Sequence, residues 1–367
     1  MTCDRCDEDR MAGHLFCKYC GAPLACPHCM EARQQGCRFC PSCGRPLETA
    51  GSTKGTTMGS ILRNIVLCVV PLLVILLTAE TVALVVGFTD VLEWAGKNAA
   101  EVLVLIPSLE TAGYLSGLGL QLYWVVVFAA VAISVAVILW QSLPAARNPS
   151  TEESRERFSE TPLFWLTLLL CGSLLLNVII AVFSMDTSSA DDITVGFVPE
   201  ALYAFANAAV WEEVITRVAY IGLPMAVLAL LSRRRDFLRY LVGGFGMSRV
   251  ALVLMFVSAV IFGFGHLSGW GLWKVLPTTI TGLALGYLYI RFGIHVSITF
   301  HFIVDYMSVL IEGPVALIVS IVLIVIIIAG IPCLIEILRR LGGAPDALKR
   351  MPNILPPDQE SIFSRRG

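Results

Sequence analysis

Long apolar stretches dominate this 367-residue chain and constrain its fold more than any other feature. Hydrophobic residues make up 56% of the sequence and charged residues 15%, too little charge to cover a water-soluble globule. Eight stretches approach or exceed the length needed to cross about 30 Å of hydrocarbon as helices. They are residues 65–88, 121–143, 163–184, 198–231, 250–267, 276–290, 295–311 and 315–338. The sequence therefore predicts an all-α polytopic membrane protein in a lipid bilayer.

Basic residues are concentrated in alternate connecting segments. They include Arg147, Arg155, Arg157, Arg233, Arg234, Arg235, Arg239, Arg249, Arg291, Arg339 and Arg340. The intervening segments carry only Lys97 and Lys274 and otherwise hold acidic residues, as in residues 185–192. Because positively charged loops stay on the cytosolic side, we expect both termini in the cytosol of a cell-membrane protein.

The first fifty residues differ from the rest of the chain because they are polar and contain nine of its twelve cysteines. Eight of them form CxxC pairs in two sets that are displaced by 23 positions. The sets are Cys3, Cys6, Cys17 and Cys20, and Cys26, Cys29, Cys40 and Cys43. Four thiolates in two CxxC pairs can hold one tetrahedral Zn2+ ion, which stabilises a segment too short to bury a core. The pattern predicts two tandem zinc ribbons with two structural Zn2+ ions.

The segment has two other interpretations, and both are disfavoured. A disulfide cluster is disfavoured because CxxC pairs are poor disulfide frameworks and the segment is expected in the reducing cytosol. Nucleic-acid binding is disfavoured because six basic side chains balance six acidic ones in residues 1–50. We expect the ribbons to bind a cytosolic protein partner or substrate.

Ionisable residues within the apolar stretches are few and fall mainly in three of them. These residues are Glu212, Glu213, Arg217, His266, His295, His301 and Asp305. An ionised side chain at bilayer depth costs about 2.5–3.5 kcal/mol on insertion scales, so each one needs a partner or a function. We therefore expect most of them to meet between the helices.

Helical spacing indicates how these residues can pair, because positions i and i+4 share a face. Glu213 can form an ion pair with Arg217, an arrangement that is equally consistent with a purely architectural role. Glu212 lies on another face, where an unpaired carboxylate in a polar cavity is suited to general base catalysis. Two further pairs with this spacing are Phe262 with His266, and His301 with Asp305.

Two histidines and one glutamate also have structural interpretations. His266, taken alone, could lie at the membrane interface. His295 is expected to be structural, since it lies on a different face from His301. Glu80, in the first apolar stretch, is expected near the outer interface.

The three motifs resemble, in order and spacing, those of the CPBP family of intramembrane glutamic proteases, which includes the type II CAAX prenyl proteases. EEVITR (residues 212–217) matches EExxxR, FGFGH (residues 262–266) matches FxxxH, and HFIVD (residues 301–305) matches HxxxN or HxxxD. The resemblance covers residues 199–312, under a third of the chain. The other apolar stretches and the cysteine-rich segment lie outside it.

The resemblance implies that Glu212, together with His266, activates a water molecule that attacks a peptide carbonyl. It also implies that His301 and Asp305 stabilise the oxyanion, with Glu213, Arg217 and Phe262 in supporting positions. Ionised aspartate only accepts hydrogen bonds, unlike the asparagine found in some members. Asp305 is therefore either protonated or orients the ring of His301, and we favour orientation.

Three alternatives to this mechanism stay open at the level of sequence. Glu212, His266 and His301 could be the protein ligands of a catalytic Zn2+ ion, although HExxH is absent and no catalytic cofactor is favoured. The same scaffold could instead be a non-proteolytic binding or immunity-type membrane protein, or a transporter. The favoured function is an endopeptidase that cuts membrane-associated proteins or peptides.

These features predict six segments along the chain. They are the zinc ribbons (1–49), a flexible linker (50–60), a transmembrane hairpin with a cytosolic loop (61–160), the protease-like core (161–312), a last transmembrane helix (313–340) and a disordered cytosolic tail (341–367).

Overall fold

The computed structural model describes residues 58–105, 109–146, 152–184, 196–312, 315–342 and 344–356. The predicted zinc ribbons, with all eight of their proposed cysteine ligands, lie outside the described residues. Contacts divide the chain into residues 1–61 and 62–367.

Most of the described residues are helical. The helices are α1 (Met58–Val86), α2 (Phe88–Lys97), α3 (Gly117–Ala146), α4 (Glu152–Phe158), α5 (Pro162–Ser184), α6 (Pro199–Glu213), α7 (Leu223–Leu231), α8 (Arg239–Val242), α9 (Arg249–Gly265), α10 (Leu267–Trp270), α11 (Leu272–Phe292), α12 (Ile294–Ile311), α13 (Ala316–Gly342) and α14 (Ala344–Arg350). A π-helix, Val214–Gly222, joins α6 to α7 without a break. Two strands, β1 (Ala99–Leu105) and β2 (Leu109–Ser116), lie between α2 and α3.

The described part of the chain contains seven helices that are long and apolar enough to cross a membrane. The prediction of an all-α polytopic membrane protein is confirmed, but the predicted number of eight spans is not. The stretch 276–290 forms most of α11, which is a helix of 21 residues. Its threonines and glycines, with Lys274 and Arg291 near its ends, make it less apolar than the seven spans.

The outer surface of the bundle is apolar, as contact with lipid requires. Along α13, for example, the exposed side chains include Leu317, Ile318, Ile321, Ile324 and Ile328. Water would disfavour such a surface, whereas hydrocarbon does not, and helices satisfy their own backbone hydrogen bonds. The exposed face therefore agrees with an integral membrane protein.

Helix α12 is the central helix of the bundle and carries His301 and Asp305. In its most apolar stretch 67% of the residues are buried, against 33–39% in the other six spans. It packs against α3, α6 and α11, among others. His301 on this helix is accordingly buried between helices.

Helices α9 and α11 approach closely because small residues line their contact. A Cβ atom on Gly263 of α9 would lie 2.0 Å from Thr279 Oγ1 and 2.7 Å from the carbonyl oxygen of Val275. A Cβ atom on Gly282 of α11 would lie 3.1 Å from Cδ1 of Phe262. Close packing of small residues is a main source of helix association in membranes. Here it positions the helix face that carries Phe262.

Two described elements differ from the expected organisation. The antiparallel hairpin β1–β2, with a register shift between Val102 and Leu103, occupies a segment that was expected only to connect two spans. Within the tail that was expected to be disordered, α14 is helical. The backbone after α14 is held because the amides of Arg249 and Val250 donate to the carbonyls of Pro352 and Asn353.

Candidate active site

The predicted ion pair between Glu213 and Arg217 is present and fully buried. Arg217 Nε lies 3.2 Å from Glu213 Oε2, and neither side chain is exposed. The guanidinium also donates to Ser258 Oγ of α9 at 2.8 Å and stacks over the ring of Phe262, 5.1 Å from its centroid. A buried ion pair needs such additional partners to offset its desolvation. The pair therefore links the end of α6 to α9.

Glu213 has a second partner that helical spacing did not predict. Its Oε1 lies 3.1 Å from Nδ1 of His301, which is 5% exposed on α12. Because a carboxylate that is paired with Arg217 is ionised and only accepts, Nδ1 of His301 carries the hydrogen and donates. Glu213 thus sets the tautomer and the orientation of the His301 ring.

The other nitrogen of His301 faces two more carboxylates. Nε2 lies 3.3 Å from Asp305 Oδ2 and 3.8 Å from Glu212 Oε2. Ionised carboxylates cannot donate a hydrogen bond to a neutral Nε2, so a proton must lie among these three groups. His301 is therefore the centre of a chain of contacts that runs from Arg217 to Glu212.

Glu212 differs from Glu213, its neighbour in sequence, in both exposure and partners. Its side chain is 32% exposed, whereas that of Glu213 is fully buried. Oε2 of Glu212 is buried, yet no described residue forms a hydrogen bond with it. The π-helix begins directly after Glu213, and such segments are frequent at functional sites. Glu212 thus combines a partly exposed side chain with a carboxylate oxygen that no described residue satisfies.

His266 lies where α9 ends and is oriented by its own helix. Its Nδ1 is 2.9 Å from the carbonyl oxygen of Phe262, which can only accept, so Nδ1 carries the hydrogen. Nε2 is then the nitrogen with a free lone pair. The Phe262 ring lies edge-on to both histidines, with centroid distances of 4.9 Å to His266 and 5.8 Å to His301. Phe262 therefore contacts both imidazoles.

A cavity of about 350 Å3 brings Glu212 and His266 together. It is lined by residues of β1, α6, the π-helix, α9 and α10, among them Glu101, Trp211, Glu212, Phe262, His266 and Trp270. Neither His301 nor Asp305 is among the lining residues. The volume falls in the range of small-ligand sites. Glu212 and His266 thus face the cavity, while His301 and Asp305 stand behind Glu212.

The structure also places the residues for which a structural role was expected. Glu80 was expected near the outer interface, but its side chain is fully buried on α1. It lies on the core face of that helix, among apolar side chains such as Leu76, Leu77 and Leu84. His295 stands apart from the site, with Nε2 3.1 Å from Gln141 Oε1.

The described residues contain no group of three or more His, Cys, Asp or Glu side chains arranged to hold a metal ion. Sequence reasoning missed Ser258 and Trp211. The sequence signal for Ser258 was its position four residues before Phe262. The signal for Trp211 was its position next to Glu212.

Comparison with known families agrees with the motif resemblance. The profile of a family described as type II CAAX prenyl endopeptidase Rce1-like matches residues 194–307. This match covers less than a third of the chain and includes all four candidate catalytic residues. It supports kinship with the CPBP family and a protease kind of function. Neither the curated proteins nor the solved structures that were compared include a match to the chain.

Proposed function

We propose that this protein is an intramembrane endopeptidase of the CAAX-protease kind that hydrolyses peptide bonds in membrane-associated proteins or peptides. One observation carries the proposal: Glu212, with an unpartnered carboxylate oxygen, and His266 line the same cavity. The family match to residues 194–307 supports the same kind of reaction.

In the proposed mechanism, Glu212 acts as the general base. Its carboxylate accepts a proton from a water molecule whose oxygen attacks the carbonyl carbon of the scissile peptide bond. Nε2 of His266 is free to accept the second hydrogen bond of that water. The C–N bond then breaks, the proton passes from Glu212 to the leaving nitrogen, and the products are a carboxylic acid and an amine.

His301 and Asp305 have a positioning role in this proposal. Glu213 holds Nδ1 of His301, so that Nε2 faces Glu212 and Asp305. The proton held among these groups limits the repulsion between the carboxylates of Glu212 and Asp305. Because neither residue lines the cavity, this role is favoured over direct stabilisation of the oxyanion.

The proposal is tested with the purified full-length protein in lipid vesicles and a library of membrane-associated peptides. We expect wild type to cleave some of them and Glu212→Gln to be at least about 100-fold slower, since a general base contributes about 10²–10⁴-fold. Glu200→Gln is the matched control, because Glu200 is an exposed glutamate in the first turn of the same helix. It should cleave like wild type.

Two results would count against the proposal. Equal cleavage by wild type and Glu212→Gln would end the assignment of Glu212 as the base. Tight binding of peptides by both proteins, without cleavage by either, would favour a non-proteolytic function on the same scaffold.

A further inference from the structure

The hairpin contributes a free strand edge to the cavity. The described sheet has only two strands, so β1 pairs with β2 on one side and with no strand of the described residues on the other. The indole nitrogen of Trp211 donates to the carbonyl oxygen of Leu103. That carbonyl therefore points away from β2, toward α6.

The direction of the Leu103 carbonyl also determines the direction of the backbone N–H and C=O of Glu101. In an antiparallel ladder, residues alternate between pointing both backbone groups at the partner strand and pointing both away. The register shift lies in β2, opposite the bond between Val102 and Leu103, so the alternation along β1 is unbroken. The N–H and C=O of Glu101 thus lie on the free edge, and Ala100, Glu101 and Leu103 all line the cavity.

The side chain of Glu101 leaves this edge uncovered. Its carboxylate accepts hydrogen bonds from Thr111 Oγ1 at 2.9 Å and from the hydroxyl of Tyr114 at 3.3 Å. Both partners belong to β2, so the side chain leans over β2. Two backbone groups of Glu101 are consequently available beside the cavity that holds Glu212.

We propose that β1 is the substrate-binding strand, and that the segment to be cut adds in extended form to its free edge by pairing with the backbone of Glu101. This inference rests on the function proposed above. A peptide carbonyl inside a helix is already hydrogen-bonded, whereas an extended segment exposes it but needs new partners at membrane depth. Strand addition provides those partners.

The contact of Trp211 sets the end of the pairing surface. Its indole N–H already donates to the carbonyl oxygen of Leu103. A substrate strand therefore cannot pair with Leu103, and the pairing surface ends at Glu101. Trp211 directly precedes Glu212. The substrate residue that follows the paired one would therefore pass beside the carboxylate that activates water.

The test compares proline substitutions on the two edges of the hairpin in the full-length protein. Glu101→Pro removes the N–H that faces the cavity, whereas Ser116→Pro removes an N–H on the outer edge of β2, because Ser116 lies directly opposite Ala99, two residues from Glu101. We expect Glu101→Pro to lower kcat/KM by about three- to tenfold, mainly through KM, and Ser116→Pro to leave it near wild type. Glu101→Ala keeps the N–H and should be less impaired than Glu101→Pro.

A second measurement does not depend on how the variants fold. Peptide substrates that are N-methylated at one residue at a time are given to wild type. If the substrate pairs with a strand edge, N-methylation should lower kcat/KM at alternate substrate residues, namely the residue that pairs with Glu101 and the one two positions away. The substrate-strand inference would be overturned if kcat/KM showed no alternation along the N-methylated peptides and was equal for the two proline variants. In that case, cleavage by wild type and its loss in Glu212→Gln would still support the protease proposal. If wild type cleaved no peptide, both would fall.

Discussion

Among single residues, Glu213 has the largest expected effect, because it is fully buried and accepts hydrogen bonds from both Arg217 and His301. Glu213→Leu leaves the guanidinium of Arg217 buried without a carboxylate. We expect the free energy of unfolding to fall by about 3–5 kcal/mol, the cost of removing one partner from a buried pair. Thermal unfolding in detergent measures the change.

A double variant separates the architectural role of Glu213 from its role toward His301. Glu213→Leu with Arg217→Met removes both charges, and apolar replacement of a buried pair is often neutral for stability. Stability should therefore return, while turnover should stay low because Nδ1 of His301 has lost its acceptor. Recovery of turnover in the double variant would show that Glu213 is purely architectural.

Asp305 is the residue at which the motif resemblance allows either a carboxylate or an amide. Its Oδ2 is 3.3 Å from Nε2 of His301, and an asparagine amide can either donate to that nitrogen or accept from it. We expect Asp305→Asn to keep turnover within about tenfold of wild type and Asp305→Ala to lose more, since it removes the hydrogen bond altogether. Steady-state cleavage rates of the three proteins decide this. Equal losses in both variants would mean that the charge of Asp305 is what matters.

Helical spacing predicts only part of the site. The pairs Glu213–Arg217 and His301–Asp305 follow from helical spacing, and both are present. The contact between Glu213 and His301 joins residues 88 positions apart. Spacing within one helix says nothing about such a contact, because it depends on how α6 and α12 pack.

At the scale of elements, the contact between α9 and α11 controls the position of Phe262 and His266. Gly263→Ala places a Cβ atom against the backbone carbonyl of Val275, which cannot rotate away as a side chain can. We expect a loss of about 1–3 kcal/mol of stability from overpacking, with reduced turnover. Gly342→Ala is the control, because a Cβ atom there meets nothing within 4 Å. Similar melting temperatures for the two variants would show that the close approach is unimportant.

The helices were predictable and the hairpin was not, for a physical reason. A run of about twenty apolar residues forms a helix in a bilayer because its backbone groups have no water to bond with and must form hydrogen bonds within the segment. The strands β1 and β2 are short and only partly alternate in hydrophobicity, so their sequence resembles an ordinary connection. The apolar run Val102–Leu105, followed by Pro107 and Ser108, was the available signal for a strand that ends in a turn.

The number of Zn2+ ions per chain distinguishes purely structural zinc from an additional catalytic zinc ion. The CxxC pairs in residues 1–49 predict two Zn2+ ions per full-length chain. Because the proposed mechanism uses Glu212 as a base, Glu212→Gln should contain the same two ions. Elemental analysis of the purified proteins measures this. Three ions in wild type and two in Glu212→Gln would favour the zinc-dependent mechanism.

The orientation of the whole molecule decides the side from which a substrate reaches the cavity. Alternating helices place the hairpin and α10 at one end of the bundle, and the segments with Arg155 and Arg235, together with the last turn of α13 with Arg340, at the other. The basic end is expected in the cytosol. The hairpin, and with it the cavity, should therefore open on the opposite side of the membrane.

Labelling of single introduced cysteines with a membrane-impermeant maleimide tests this orientation, with the parent protein as background. Tyr114 and Arg235 are both exposed, and they lie on the hairpin and on the basic connection respectively. Tyr114→Cys should be labelled in intact cells and Arg235→Cys only after permeabilisation. The reverse pattern would place the cavity on the cytosolic side. Substrates would then have to present their cleavage segment from the cytosol, on the same side as the cysteine-rich head.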